Sequence, residues 1–150
     1  RVRRVHSTVT EAGAQEGIEF RFDLIRRTPN TIDSHRLIAA AGRNGLQSKA
    51  VNALFSAYFT EGKDIGDLDV LAEIAEHVGL GPEGARAILS GDGGRHEVVA
   101  LDDMARGLGV NGVPCYIIDR RYAISGAQSP EVFLRVFDLA KQDVAGIAAE

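Results

Sequence analysis

Cys115 is the one thiol in this chain, and it sits inside Leu108-Gly109-Val110-Asn111-Gly112-Val113-Pro114-Cys115-Tyr116-Ile117-Ile118-Asp119. A cysteine opening an apolar strand is ordinarily a small buried hydrophobe. Its chemical alternative is a thiol that forms a mixed disulfide or is regulated by oxidation. Pro114 lacks an N–H and so suits the first residue of a strand, not its middle. Local sequence favours a trans Val113–Pro114 bond, because cis is adopted by only about 5–6% of X–Pro bonds. A cis bond there would turn the Val113 backbone groups outward, free to pair with a visiting extended peptide.

The other residues of types that carry chemistry are sparser. His6, His77 and His96 are scattered, and none has a second histidine or cysteine at ligand spacing, so no metal site is expected. Glu73, Glu76 and His77 share a helix and read as a solvated face. Gly42-Arg43-Asn44-Gly45 and Gly91-Asp92-Gly93-Gly94 lack the lysine and the strand-before, helix-after setting of a phosphate loop. No Gly-x-Ser-x-Gly elbow occurs.

The elements that must position these residues follow from periodicity and punctuation. Val2, Val5 and Val9 predict an opening helix ending near Gly13 and Gly17. Ile18, Phe20, Phe22 and Leu24 alternate with charged residues and predict a strand with one buried face. Asn30 is a good N-cap for a helix from Thr31 to about Arg43. Ala50, Val51, Leu54, Phe55, Tyr58 and Phe59 make the apolar face of another. Asp67 caps a third, which Gly79 and Leu80 end in a Schellman-like turn. Pro82 opens a short fourth and a fifth covers about 95–108. Cys115–Ile118 predicts a central apolar strand, Asp119-Arg120-Arg121 a turn, and Tyr122–Ser125 its hairpin partner. Ser129-Pro130-Glu131 then opens a last helix, buried through Val132, Phe133, Val136, Phe137 and Ala140.

Gly-Val-Pro, an apolar strand, a hairpin, Ile124-Ser125-Gly126-Ala127-Gln128 and a closing helix together resemble the C-terminal half of a thioredoxin-fold protein. The similarity is to the DsbA-like oxidoreductases, in the FrnE-like subgroup, whose relatives include glutathione transferase kappa and 2-hydroxychromene-2-carboxylate isomerase. It extends over the whole chain. The resemblance implies an α/β thioredoxin-like fold with a helical insertion. Residues 1–29 and 109–143 would form an incomplete sheet domain, 30–108 the insertion and 144–150 a tail. It also implies a cis Val113–Pro114 bond beside a Cys-x-x-C dithiol, with Gly112, Val113, Pro114 and Cys115 at the substrate. This chain has no Cys-x-x-C; the first strand and dithiol helix are expected upstream of Arg1. A cysteine at 115 departs from the aromatic or aliphatic residue common in the family. The run Asn30-Thr31-x-x-x-His35-Arg36-Leu37 is typical of the subgroup. It makes His35 an accessory candidate that steadies a thiolate or shuttles protons, against the plainer reading of a packed or cap-bonded histidine.

Bulk properties bound the partners. The chain has 150 residues, 45% apolar and 25% charged, which suits one soluble domain. Net charge of −4 gives no support for nucleic acid or an anionic membrane, although Arg1, Arg3, Arg4 and His6 cluster at the start. No apolar run reaches the roughly 20 residues of a membrane span. A single cysteine suits a reducing, cytoplasmic setting. The expected function is a thiol–disulfide oxidoreductase or isomerase acting on a disulfide-bearing protein or small thiol. No bound cofactor is expected, glutathione serving at most as redox partner, and a homodimer is compatible with the chain. The alternatives are a glutathione-dependent isomerase or transferase of the chromene-carboxylate type and a non-catalytic binding module.

Overall fold

A computed structural model describes residues 2–147. Internal packing divides the chain into two units, 1–100 and 101–150. The first is helical. It contains α1 (Val2–Gln15), α2 (Ile32–Arg43), α3 (Gln47–Phe55) running into a π-helical turn (Ser56–Thr60), α4 (Leu68–Val78), α5 (Gly81–Leu89) and the start of α6 (Arg95–Gly107).

The helix ends are made as the punctuation requires. Asn30 Oδ1 accepts from the Ile32 N–H at 3.0 Å, so its side chain serves the first turn of α2 although Thr31 occupies the cap. The Asp67 carboxylate accepts from the N–H groups of Asp69 and Val70. Leu80 N–H reaches back to Ala75 and Gly79 N–H to Glu76, the Schellman pattern. The apolar faces of α2 to α5 meet in one core of Leu37, Leu54, Ala57, Leu71, Ile74, Ala75, Val78, Ala85 and Leu89. Phe55 points away from it, 58% exposed, contrary to the sequence expectation. It stands beside the buried line of Ala50, Leu54 and Ala57 and packs its ring on Phe59 instead.

Arg36 lies within this unit and is only 3% exposed. Its guanidinium donates to the carbonyls of Ile88, Gly91 and Gly93 and to the Asp33 carboxylate at 2.8 Å. It thereby satisfies acceptors at and beyond the C-terminal end of α5, where backbone carbonyls lack helical partners and favour a cation. Asp33 also faces Arg95, at 3.5 Å, at the start of α6. Ser34, equally buried, donates its hydroxyl to the Ile65 carbonyl.

The predicted strand at Ile18–Leu24 does not form among the described residues. Its alternating aromatics are used differently. Phe20 and Phe22 pack their rings on each other, on Phe59 of the π turn, and Phe22 on His6 of α1 at 4.4 Å. Ring packing thus accounts for the alternation. The segment's backbone reaches the π turn through one bond, Arg21 N–H to Phe59 C=O at 2.8 Å. Gly13 permits this: a Cβ there would stand 2.4 Å from the Phe20 ring.

The second unit holds the rest of α6, strand β1 (Cys115–Ile118), strand β2 (Tyr122–Ser125) and α7 (Pro130–Ile147). The strands pair antiparallel with Cys115 opposite Ser125 and Ile118 opposite Tyr122. Asp119 and Arg120 take φ of 51° and 56°, and Arg121 N–H bonds to Ile118 C=O. That is a type I′ turn, whose twist suits a hairpin. The sheet has two strands among the described residues, so β1 has one partner rather than the central place expected of it. α7 packs on both strands, with Tyr116 edge-on to Phe133 at 4.9 Å. Phe137 is 43% exposed, not buried as expected. Residues 144–147, expected in a tail, continue α7, and 148–150 lie outside the described residues.

Candidate functional site

The residues singled out around Pro114 occupy one end of the hairpin. Gly112, Val113 and Pro114 are exposed and Cys115 is half-buried. The Val113–Pro114 peptide bond is cis. Val113 is 90% exposed, and neither its N–H nor its C=O has a partner among the described residues. On the other side, Pro114 C=O accepts from Gly126 N–H at 2.8 Å, which carries the β1–β2 ladder one position past Cys115. Backbone groups of successive strand residues point to opposite edges. Pro114, Tyr116 and Ile118 therefore face β2, and Cys115 and Ile117 turn their N–H and C=O to the other edge, where no strand stands among the described residues.

Apolar side chains of β1 are exposed beside Val113. Tyr116 is 43% and Ile117 57% exposed. An extended chain laid against Val113 would find its N–H and C=O facing out, with apolar surface next to them. β2 is held from its far end. The Tyr122 hydroxyl donates to the Asp143 carboxylate of α7, and Arg121 lies 3.2 Å from the same carboxylate. The bond to Asp143 stabilises the protonated phenol and raises the Tyr122 pKa above its ordinary value. At the near end, Gln128 Nε2 donates to Ser125 C=O at 3.0 Å and closes the Ser125–Gln128 turn.

His35 belongs to the other unit. It is exposed on α2, and its ring has no hydrogen bond among the described residues, so it is neither packed nor cap-bonded. Its neighbour Arg36 is the buried residue of that run. The acid three residues earlier, Asp33, was the available sign of it, since charges at that spacing share a helix face. No cluster of histidine, cysteine and carboxylates suited to a metal occurs among the described residues. No helix among them is long and apolar enough to cross a membrane.

Comparison with known proteins agrees with this architecture. The family model of the DSBA-like thioredoxin domain matches residues 1–138. A crystal structure described as a probable DsbA oxidoreductase, from Streptomyces coelicolor, superposes with a TM-score of 0.79 at 31% sequence identity. The match covers 91% of this chain and 58% of that one, so the chain spans little more than half the length of its structural relative. A search of curated proteins gives no significant match. Two-unit packing, a cis Val113–Pro114 loop and a hairpin closed by a C-terminal helix thus coincide with a domain-length match, and the chain belongs to the DSBA-like thioredoxin domain family.

Proposed function

We propose that the chain provides the substrate-docking part of a thiol–disulfide oxidoreductase of the FrnE-like kind, and that Gly112, Val113, Pro114 and Cys115 receive the substrate. The observation that carries this reading is Val113, 90% exposed and with neither its N–H nor its C=O partnered among the described residues, at the start of an apolar strand. The substrate class is a disulfide-bearing polypeptide, because an extended backbone is what an open edge recognises. No resident cofactor is required, and glutathione fits the role of a redox partner.

The exchange needs two sulfurs besides those of the substrate, and Cys115 is the one thiol here. The dithiol must therefore come from outside these 150 residues. Its thiolate attacks one substrate sulfur, the substrate S–S bond breaks, and the departing thiolate takes a proton from solvent. The second thiolate then attacks the mixed disulfide, the substrate leaves fully reduced, and the dithiol is left oxidised by two electrons. Run backwards, the same steps oxidise a substrate dithiol. Docking along Val113 holds the mixed disulfide in line during both attacks. Half-buried Cys115 adjoins this path and would be an accessory thiol. A second reading, a binding module that docks peptides without turning them over, is favoured by that same lone cysteine.

Insulin reduction by the full-length protein tests the proposal. The expected result is thiol-dependent turnover whose KM rises on Val113→Asp. Absence of turnover in a protein that does carry a Cys-x-x-C would overturn it. Peptide binding without turnover, in a protein without one, would establish the binding module.

A further inference from the structure

The Ser125-Gly126-Ala127-Gln128 loop has no part in the exchange chemistry, yet its hydrogen bonds lead to the docking edge. Gln128 Nε2 donates to Ser125 C=O at 3.0 Å. Between the two ends of that turn stands Gly126, with φ of 78°, a conformation that costs an L side chain energy. Gly126 N–H is the donor to Pro114 C=O at 2.8 Å, in the rung next to Val113. We infer that Gln128 is a positioning residue for the docking edge. By closing the turn it aims the Gly126 N–H, which fixes the Pro114 carbonyl toward β2 and leaves the Val113 groups facing out.

This inference rests on the reading of Val113 as the docking edge, and it goes further by assigning a residue that never touches the substrate. Ser125 and Gln128 are both exposed, and β2 keeps its buried Ile124 and its Tyr122–Asp143 bond whatever stands at 128. Loss of the Gln128 bond should therefore loosen one rung without unfolding the hairpin.

The test compares wild type, Gln128→Ala, Gln128→Glu and Val113→Asp. The probe is a short valine-rich peptide whose cysteine is blocked by carbamidomethylation. Affinity, amide exchange at Gly126 and Tm are measured for each. Gln128→Glu keeps the shape of the side chain and loses the donor. The expected result is peptide affinity weakened about three- to tenfold in both Gln128 variants, the worth of one hydrogen bond. Gly126 exchange should quicken and Tm stay unchanged. If Val113→Asp weakens binding while the Gln128 variants bind and exchange like wild type, the inference is overturned and the docking edge stands. If no variant alters binding, the docking edge itself is wrong and the inference falls with it. A fall in Tm matching the loss of affinity would assign Gln128 a merely structural role and overturn the proposal.

Discussion

The two units put their apolar residues to opposite uses. In residues 1–100, four helices close over a core in which Leu37 and Leu71 are fully buried. In residues 101–147, Ile124 is the one buried residue among the described side chains, while Leu101, Met104, Leu108, Val113, Ile117 and Leu134 are more than half exposed. The first unit carries a polar centre that is fully engaged, with Arg36 held by three carbonyls and a carboxylate. The second carries, at Val113, backbone groups that have no partner among the described residues. Burial and hydrogen bonding fix a structure, whereas an unpaired edge is available to a partner. The helical unit is thus fixed by its own contacts, and the hairpin unit carries the groups that the proposed docking would use.

The largest effect expected from breaking this contrast is at Arg36. Arg36→Ala strips the carbonyls of Ile88, Gly91 and Gly93 of this donor and leaves Asp33 its longer contact with Arg95, and should cost about 3–5 kcal/mol in urea unfolding. Leu71→Ala should cost about 2–5 kcal/mol through its cavity. Leu134→Ala, at a residue 60% exposed, should change stability by no more than about 0.5 kcal/mol. Equal losses at 71 and 134 would mean that the apolar residues of the second unit are covered in solution.

Smaller effects sharpen the same comparison. Gly13→Ala forces a Cβ against the Phe20 ring and should lower stability by about 1–3 kcal/mol. Arg120→Gly relieves a left-handed φ in the hairpin turn and should raise Tm, for a gain of about 1 kcal/mol. The smallest concerns Asp64. Its pKa is lowered, first by the Gly66 N–H that its carboxylate accepts and then by Arg27. A depressed carboxylate stabilises the fold above its unfolded value, about 3.9, and loses that contribution as pH falls through the lower folded value. Asp64→Asn should flatten the acid limb of stability against pH below about pH 4, lowering stability slightly at neutrality and converging with wild type at low pH.

Much of this was legible in the residues. Asn30, Asp67, Gly79 and Pro82 announce helix ends through local chemistry, and the helices begin and end beside them. The stretch from Gly112 to Gln128 announced the loop and hairpin because turn residues bracket short apolar runs. Period-two alternation at Ile18–Leu24 misled, since ring packing against Phe59 satisfies the same pattern as a sheet. The π turn left no signature, and Phe55 was grouped with the apolar face although the buried line runs through Ala50, Leu54 and Ala57. Asp33 was the one local sign of Arg36; its other partners are carbonyls more than fifty residues away, and sequence carries no mark of a main-chain acceptor. Gln128 stood in a recognised motif, but its bond to Ser125 depends on how the turn closes.

The docking edge is tested most directly by following backbone amide shifts while the protein is titrated with a cysteine-blocked extended peptide. The account predicts saturable shifts at Gly112, Val113, Cys115, Ile117 and Gly126, with α2 to α5 unmoved. Shifts confined to the helical unit, or none at all at saturating peptide, would contradict it.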